Sequence, residues 1–120
     1  KRLVINIPPR HMKSINVTVC FPCWTWTQAP EKRFIKVSYS DSLSRKHNVL
    51  SRDIIQSPWY TENWGDIVKL KDDVNRQNEF KNTHQGMMFS TSVGGALTGE
   101  GGDIIIVDDP QNPLMANSET

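Results

Sequence analysis

Four consecutive β-branched residues near the C-terminal end of the chain restrict its fold more than any other feature. Ile104, Ile105, Ile106 and Val107 follow one another without a polar residue between them. A strand of this composition is typical of a sheet buried on both faces, and such sheets are parallel with helices on either side. The run therefore predicts an α/β fold with this strand inside the sheet.

Two carboxylates follow this predicted strand directly, since Asp108 and Asp109 precede Pro110. Open α/β sheets bind their ligands beyond the carboxyl ends of the strands. Asp108 is therefore a candidate ligand of Mg²⁺, directly or through water, and Asp109 is a candidate base that deprotonates an attacking water. The alternative is a turn in which the two carboxylates cap a following helix.

The N-terminal segment carries a second candidate site. Residues 3–7 are predicted to form a short buried strand that Pro8 and Pro9 end. Lys13 and Ser14 then open a predicted helix. In a phosphate-binding loop, backbone N–H groups and the helix start face the phosphate, the lysine neutralises its charge, and the hydroxyl ligates Mg²⁺. A strand–turn–helix without a ligand is the alternative.

Met12 stands where the strict phosphate-binding pattern has glycine. Glycine there permits a positive φ and a close approach of the backbone to the phosphate. We therefore expect Met12 to weaken nucleotide binding.

Periodicity predicts the elements between the two motifs. A helix is predicted over residues 13–19, and Pro22 kinks or ends it. An alternating strand covers residues 33–39. A second helix, capped by Ser40 or Asp41, runs to Ile55 and is ended by Pro58. Together with the first strand, these elements suggest a βαβ unit. Short strands are predicted over residues 67–70, 79–83 and 87–91, with residues 84–86 as a tight connection and a glycine-rich loop over residues 93–102.

Charge is distributed unevenly along the chain. Residues 1–60 hold 10 basic and 3 acidic side chains, and residues 61–120 hold 4 basic and 10 acidic ones. The net charge of +1 excludes a polycation that coats nucleic acid. A solvated surface could have this asymmetry by chance, and a phosphate site in the first half with a metal site in the second would also produce it. An apolar run of about 18 residues, the length of a membrane span, does not occur.

The cysteines and the tryptophans are interpreted as structural rather than functional residues. Cys20 and Cys23 have the spacing of a redox or half-zinc motif, but no second pair exists, and we interpret both as small core residues. We interpret the aromatic residues as core or edge packing rather than as platforms for base stacking. They are Trp24, Trp26, Trp59, Tyr60 and Trp64.

Residues 5–14 resemble the Walker A variant of tailed-bacteriophage terminase large subunits, whose usual form is I-N-x-P-P-R-H-G-K-S. The similarity continues through Phe21-Pro22 and Trp24, through residues 37–40, and through the glycine-rich loop to residues 104–110. It covers nearly the whole chain in order. Met12 replaces the family's glycine, and Asp109 stands where many terminases have glutamate.

The resemblance implies a P-loop NTPase-type α/β fold with a mainly parallel sheet, flanking helices and a β-hairpin insertion. Residues 1–120 would be a truncated, partial ATPase domain, without the nuclease domain. It also implies site residues and cofactors: ATP contacts residues of the loop and helix start, Mg²⁺ is held by Ser14 and Asp108, Asp109 is the base, and Arg10 is the arginine finger. The nucleotide-binding residues are Pro8, Pro9, Arg10, His11, Met12, Lys13 and Ser14.

The function implied is ATP hydrolysis that drives viral DNA into a procapsid. The implied partners are double-stranded viral DNA, the portal protein, the small terminase subunit and, in the full-length protein, further copies in a ring, without a membrane. The implied location is the host cytoplasm and, transiently, the procapsid. Two alternatives remain: another P-loop DNA motor such as a helicase, against which the Pro-Pro-Arg-His form argues, and a fragment that does not bind nucleotide, which Met12 favours.

Overall fold

The computed structural model describes residues 3–5, 12–94 and 101–108. They form an α/β structure with a five-stranded sheet and three α-helices. The strands are β1 (Arg33–Ser38), β2 (Leu70–Asn75), β3 (Glu79–Asn82), β4 (Met87–Ser92) and β5 (Ile104–Val107). The helices are α1 (Phe21–Gln28), α2 (Asp41–Ile55) and α3 (Pro58–Trp64), and a π-helical segment, Ile15–Cys20, leads directly into α1.

The sheet is mixed, with the strand order β2-β3-β4-β1-β5. β1 is parallel to both of its neighbours, whereas β3 is antiparallel to both of its own. The prediction of a mainly parallel sheet is therefore wrong. The tight connection over residues 84–86 joins β3 to β4 as the expected hairpin, and a tight turn requires antiparallel strands. The hairpin is thus part of the central sheet, where β4 lies against β1.

The predicted N-terminal strand is not observed in the residues that the structure describes. Leu3 and Val4 are 83% and 80% exposed, Ile5 is exposed as well, and none of the three lies in a strand. Asn6 and Ile7 lie outside the described residues. β1 has no free side for the expected βαβ pairing, because β4 and β5 occupy both of its edges.

The first helical stretch is longer than predicted. Pro22 lies in the first turn of α1, and the helix continues to Gln28. Proline is tolerated there because the first N–H groups of a helix need no partner within it. Just before it, the N–H of Phe21 bonds to the carbonyl of Asn16, five residues earlier, which is the π-helical pattern. Of the two predicted effects of Pro22, a kink or an end of the helix, the end is wrong.

Side-chain caps define the next two helices. Ser40 caps α2 as predicted, since its Oγ accepts a hydrogen bond of 3.0 Å from the N–H of Leu43. Pro58 does not end this helix but begins α3, and the Oγ of Ser57 accepts a bond from the N–H of Tyr60. A proline at the first helical position has φ already set for a helix. The sequence analysis did not predict α3.

Alternation along the strands determines which side chains meet the helices. A core cluster packs between the helices and one face of the sheet, and its buried members are Cys23, Trp26, Phe34, Ile55, Tyr60, Val68, Phe80, Met88 and Ile106. Ile105 and Val107 are exposed, so the prediction that β5 is buried on both faces is wrong. In the described sheet β5 is an edge strand, which pairs with β1 alone.

No helix in the described parts of the chain has both the length and the apolar character needed to span a bilayer.

Candidate functional site

The candidate site lies at the carboxyl ends of the parallel strands. β1, β4 and β5 run in the same direction, so their carboxyl ends meet at one edge of the sheet. Asp108 follows β5 there, and its N–H donates a hydrogen bond of 2.8 Å to the carbonyl of Val37 on β1. This bond continues the sheet ladder by one residue. It therefore fixes the backbone of Asp108 at the edge where α/β sheets bind their ligands.

Two groups from the first helical stretch contact the Asp108 carboxylate. The hydroxyl of Thr18 donates a hydrogen bond of 3.0 Å to Oδ2, and the ammonium of Lys13 lies 3.9 Å from Oδ1. The structure thus brings together the two motifs that the sequence analysis identified at opposite ends of the chain. Thr18 had not been predicted as a site residue. The only sequence signal for it is its spacing, one helical turn beyond Ser14.

The carboxylate of Asp108 is only 6% exposed. Burying a carboxylate is unfavourable unless hydrogen bonds and an opposite charge compensate for the water it loses. The hydroxyl of Thr18, itself buried, and the ammonium of Lys13, about one-third exposed, provide this compensation. The site is therefore a buried acid with a cation at its solvent-facing side.

The backbone of Met12 is in the left-handed region, with φ 60°. Its carbonyl accepts a hydrogen bond of 3.0 Å from the N–H of Asn16, so the residue is tied to the first helical turn. A left-handed conformation costs a residue with a Cβ about 1–2 kcal/mol, and glycine is free of this cost. The position therefore has a backbone conformation that glycine adopts without this cost. The Met12 side chain is 62% exposed.

A hydroxyl and an ammonium contact the Asp108 carboxylate, and a further hydroxyl lies between them in the sequence. Ser14 lies four residues before Thr18, so both hydroxyls belong to the same face of the helical stretch. Within residues 3–5, 12–94 and 101–108, no group of three or more His, Cys, Asp or Glu side chains could hold a metal ion. Mg²⁺ at nucleotide sites needs only one or two protein oxygens, because phosphates and water complete its shell. The carboxylate of Asp108 and the hydroxyl of Ser14 are oxygen ligands of the type that Mg²⁺ prefers.

Five of the predicted site residues lie outside the described residues. They are Pro8, Pro9, Arg10, His11 and Asp109. Their roles remain predictions.

A buried lysine that the sequence analysis missed lies behind the site. Lys36 on β1 is 1% exposed, and its Nζ donates a hydrogen bond of 2.7 Å to the Oγ of Ser51 on α2. That hydroxyl donates in turn to the carbonyl of Val19 at 2.9 Å. Burial lowers the pKa of Lys36 to about 7 and raises the pKa of the nearby Cys23 thiol to about 11. The sequence signal was the position of Lys36 on the inner face of an alternating strand.

A groove of about 570 Å³ lies between the helices. It shares no lining residue with the Lys13, Thr18 and Asp108 site. We call it the helical groove, and it is lined by Ile15, Val19, Cys20, Cys23, Trp24, Thr27, Leu50, Asp53, Ile54, Ser57, Trp59, Tyr60 and Trp64.

Trp24 and Trp59 in the groove wall are 60% and 62% exposed, and Cys20 is exposed as well. The prediction of core or edge packing therefore describes the fully buried Trp26 but not these two tryptophans. The prediction of a core position is right for Cys23 and wrong for Cys20.

No protein-family model, curated protein or solved structure matches the chain.

Proposed function

We propose that this chain binds and hydrolyses ATP as the motor part of a DNA-packaging protein of the terminase large-subunit type. One observation carries the proposal: the helix-opening Lys13 and the Asp108 at the end of β5 lie 3.9 Å apart. A P-loop ATPase needs a lysine and an acid in this relation, because one binds the phosphates and the other binds the Mg²⁺ that accompanies them.

In this proposal Lys13 binds the phosphates. Its side chain is about one-third exposed and its contact with Asp108 is long, at 3.9 Å, so the ammonium lies at the solvent-facing side of the site. When the ammonium contacts a phosphate oxygen, Mg²⁺ beside Asp108 would supply the positive charge that this buried carboxylate needs. The N–H groups at the helix start, together with the loop of residues 8–11, would face the same phosphates.

Ser14 and Asp108 would hold Mg²⁺, which when bound neutralises charge on the phosphate oxygens. The buried Thr18 hydroxyl holds one carboxylate oxygen of Asp108 and so limits rotation of this side chain. The other oxygen, which lies 3.9 Å from the Lys13 ammonium, is the proposed ligand of Mg²⁺.

Asp109 is assigned to a different task from Asp108. Successive residues that leave a strand point in opposite directions, so the two carboxylates do not face the same atom. In this proposal Asp109 accepts the proton of the attacking water, and Arg10 stabilises charge on the γ-phosphate. Both assignments come from the resemblance of the sequence motifs.

The same resemblance supplies the proposed partners and location. They are double-stranded viral DNA, a portal protein, a small terminase subunit and further copies of the motor in a ring, acting in the host cytoplasm and on the procapsid. The Pro-Pro-Arg-His form of the loop favours this assignment over a helicase.

A chain that does not bind nucleotide is the second candidate, and the backbone of Met12 favours it. A side chain at φ 60° beside the phosphate-binding segment hinders the close approach that glycine allows.

Hydrolysis by matched variants tests the proposal. The rates of ADP release and the affinities for Mg²⁺-ATP are compared for the native chain, Asp108→Asn and Asp109→Asn, with Asp72→Asn on β2 as a control. Asp108→Asn should weaken both binding and hydrolysis. Asp109→Asn should keep binding and lower the rate by about 10²–10⁴-fold, whereas Asp109→Glu should stay active. If Asp109→Asn abolishes metal-dependent binding while Asp108→Asn still turns over, the assignment is wrong.

A further inference from the structure

The helical groove has the size of a small-molecule site. Its volume of about 570 Å³ lies within the range of 300–1,000 Å³ that is usual for pockets binding drug-sized ligands. α1, α2 and α3 each contribute to its walls, so the groove is built on packed helices rather than on loops. A ligand that enters it would meet a largely preformed surface.

The aromatic residues of the groove are held in place by one another. The rings of Trp59 and Trp64 are edge to face, with centroids 5.2 Å apart and planes at 82°. Tyr60 lies 5.2 Å from Trp64, and its hydroxyl donates a hydrogen bond of 2.7 Å to the carbonyl of Cys23 on α1. This bond joins α3 to α1 and uses the hydroxyl of Tyr60. The groove therefore offers aromatic surface rather than hydroxyl groups.

Exposed tryptophans are the unusual feature of this surface. Trp24 and Trp59 each expose more than half of their area. Apolar area of this kind on a soluble surface marks an interaction site when it is contiguous and rimmed by polar groups. Asp53 on α2 provides a polar group at the edge of this surface, and it is the one charged residue among the described residues that line the groove.

The combination of aromatic faces and one carboxylate favours ligands that carry a positive charge. The faces of tryptophan and tyrosine carry negative potential and attract ammonium groups within about 6 Å. Asp53 adds a full negative charge at the edge of the same surface, and the described lining holds no basic side chain. The hydroxyls of Thr27 and Ser57 already donate to the carbonyls of Trp24 and Ile54, so an anion would meet no basic group and no free hydroxyl proton in this lining.

We propose that the helical groove is a binding site for small amphipathic organic cations, in which an ammonium group is attached to an aryl or alkyl body. The body packs between Trp24 and the Trp59–Trp64 pair, and the ammonium points toward Asp53. This site is independent of the proposed ATP function, because the two share no residue.

Three probes of equal shape test the charge preference: phenylbutylamine in its protonated form, phenylbutanol and phenylbutyrate. Calorimetric titration at neutral pH should give the tightest binding for the amine, about tenfold weaker binding for the alcohol, and the weakest for the carboxylate. Asp53→Asn should reduce the affinity for the amine to that for the alcohol and leave the alcohol unchanged. Asp72→Asn, an exposed acid on β2, should leave the order as it is.

The indole N–H resonances locate the bound amine. Those of Trp24, Trp59 and Trp64 should shift on titration, whereas that of the buried Trp26, which donates to the carbonyl of Lys32, should not. Trp59→Ala should weaken the binding of amine and alcohol alike. Equal affinities for the three probes, an amine affinity that survives Asp53→Asn, or no saturable binding of the amine would each overturn the proposal. So would binding of a basic peptide helix by a groove that rejects the free amine.

Discussion

The hydroxyl of Thr18 donates a hydrogen bond of 3.0 Å to Oδ2 of Asp108, across 90 positions of sequence. It joins the π-helical segment to the end of β5, and both residues are buried. The helix that begins at Lys13 is thereby anchored to the edge of the sheet where ligands bind. This bond therefore helps to determine both where the Asp108 carboxylate lies and which of its oxygens is already occupied.

Removal of that hydroxyl should destabilise the fold. Thr18→Val keeps the shape of the side chain but leaves a buried carboxylate oxygen without its donor, so the free energy of unfolding should fall by about 1–3 kcal/mol. Urea denaturation measures the change. Thr18→Ser keeps a donor and should lie closer to the native value. If Thr18→Val is as stable as the native chain, this bond does not hold the helix to β5.

Met12→Gly should stabilise the chain and also raise its affinity for ATP. Glycine has no Cβ and relieves the left-handed conformation at φ 60°, which is expected to increase the free energy of unfolding by about 1 kcal/mol. The same change lets the backbone approach a phosphate. Met12→Ala is the matched control, because it shortens the side chain and keeps the strain. Equal affinities of the native chain and Met12→Gly would show that this position does not limit binding.

Lys36 should make stability depend on pH. Burial lowers its pKa to about 7 from an ordinary value of 10.5. Above pH 7 the unfolded chain therefore binds a proton at this residue that the folded chain has lost. The free energy of unfolding should rise with pH by about 1 kcal/mol per unit, starting near pH 7. In Lys36→Met, where residue 36 cannot titrate, the free energy of unfolding should not rise in this way. In Lys69→Met, a control at an exposed lysine, the rise should remain.

Cys23 should oppose Lys36 above pH 9. Burial raises the pKa of this thiol from 9.0 to about 11, so in that range the folded chain keeps a proton that the unfolded chain has released. Stability then falls with pH at this residue, and the two effects cancel between pH 9 and 10. In Cys23→Ala the rise should continue to pH 10. A native profile that is flat from pH 7 onward would contradict the burial of an uncharged Lys36.

Local patterns predicted the elements whose signals lie within their own residues. β1 alternates with period two, Ser40 is a good cap for α2, and the apolar run of β5 is unbroken; all three were located to within a residue or so. β2 lies a few residues later than predicted, because its polar sequence shows no clear alternation. α3 was missed because Pro58 was taken as the end of a helix, although proline also suits a helix start.

Partners distant in sequence were harder to predict. β4 and β5 occupy both sides of β1, so the predicted pairing of an N-terminal strand with β1 is not available, and no local pattern reveals this arrangement. The contact of Lys13 with Asp108 could be predicted from the sequence, because the two motifs implied a shared site. The bond from Thr18 depends on which face of the helical stretch meets the sheet, and the burial of Lys36 depends on which face of β1 the helices cover. Threonine and lysine are common at exposed positions, so the residue types alone do not predict either contact.

Titration with a fluorescent ATP analogue in the presence of Mg²⁺ tests the central claim most directly, because it asks whether the Lys13 and Asp108 site binds nucleotide. The native chain should show saturable binding that Lys13→Ala abolishes, and the exposed Lys69→Ala should bind as the native chain does. Omission of Mg²⁺ should weaken the native binding and leave Asp108→Asn little changed. Absence of saturable binding by the native chain, or equal binding by Lys13→Ala, would contradict the account.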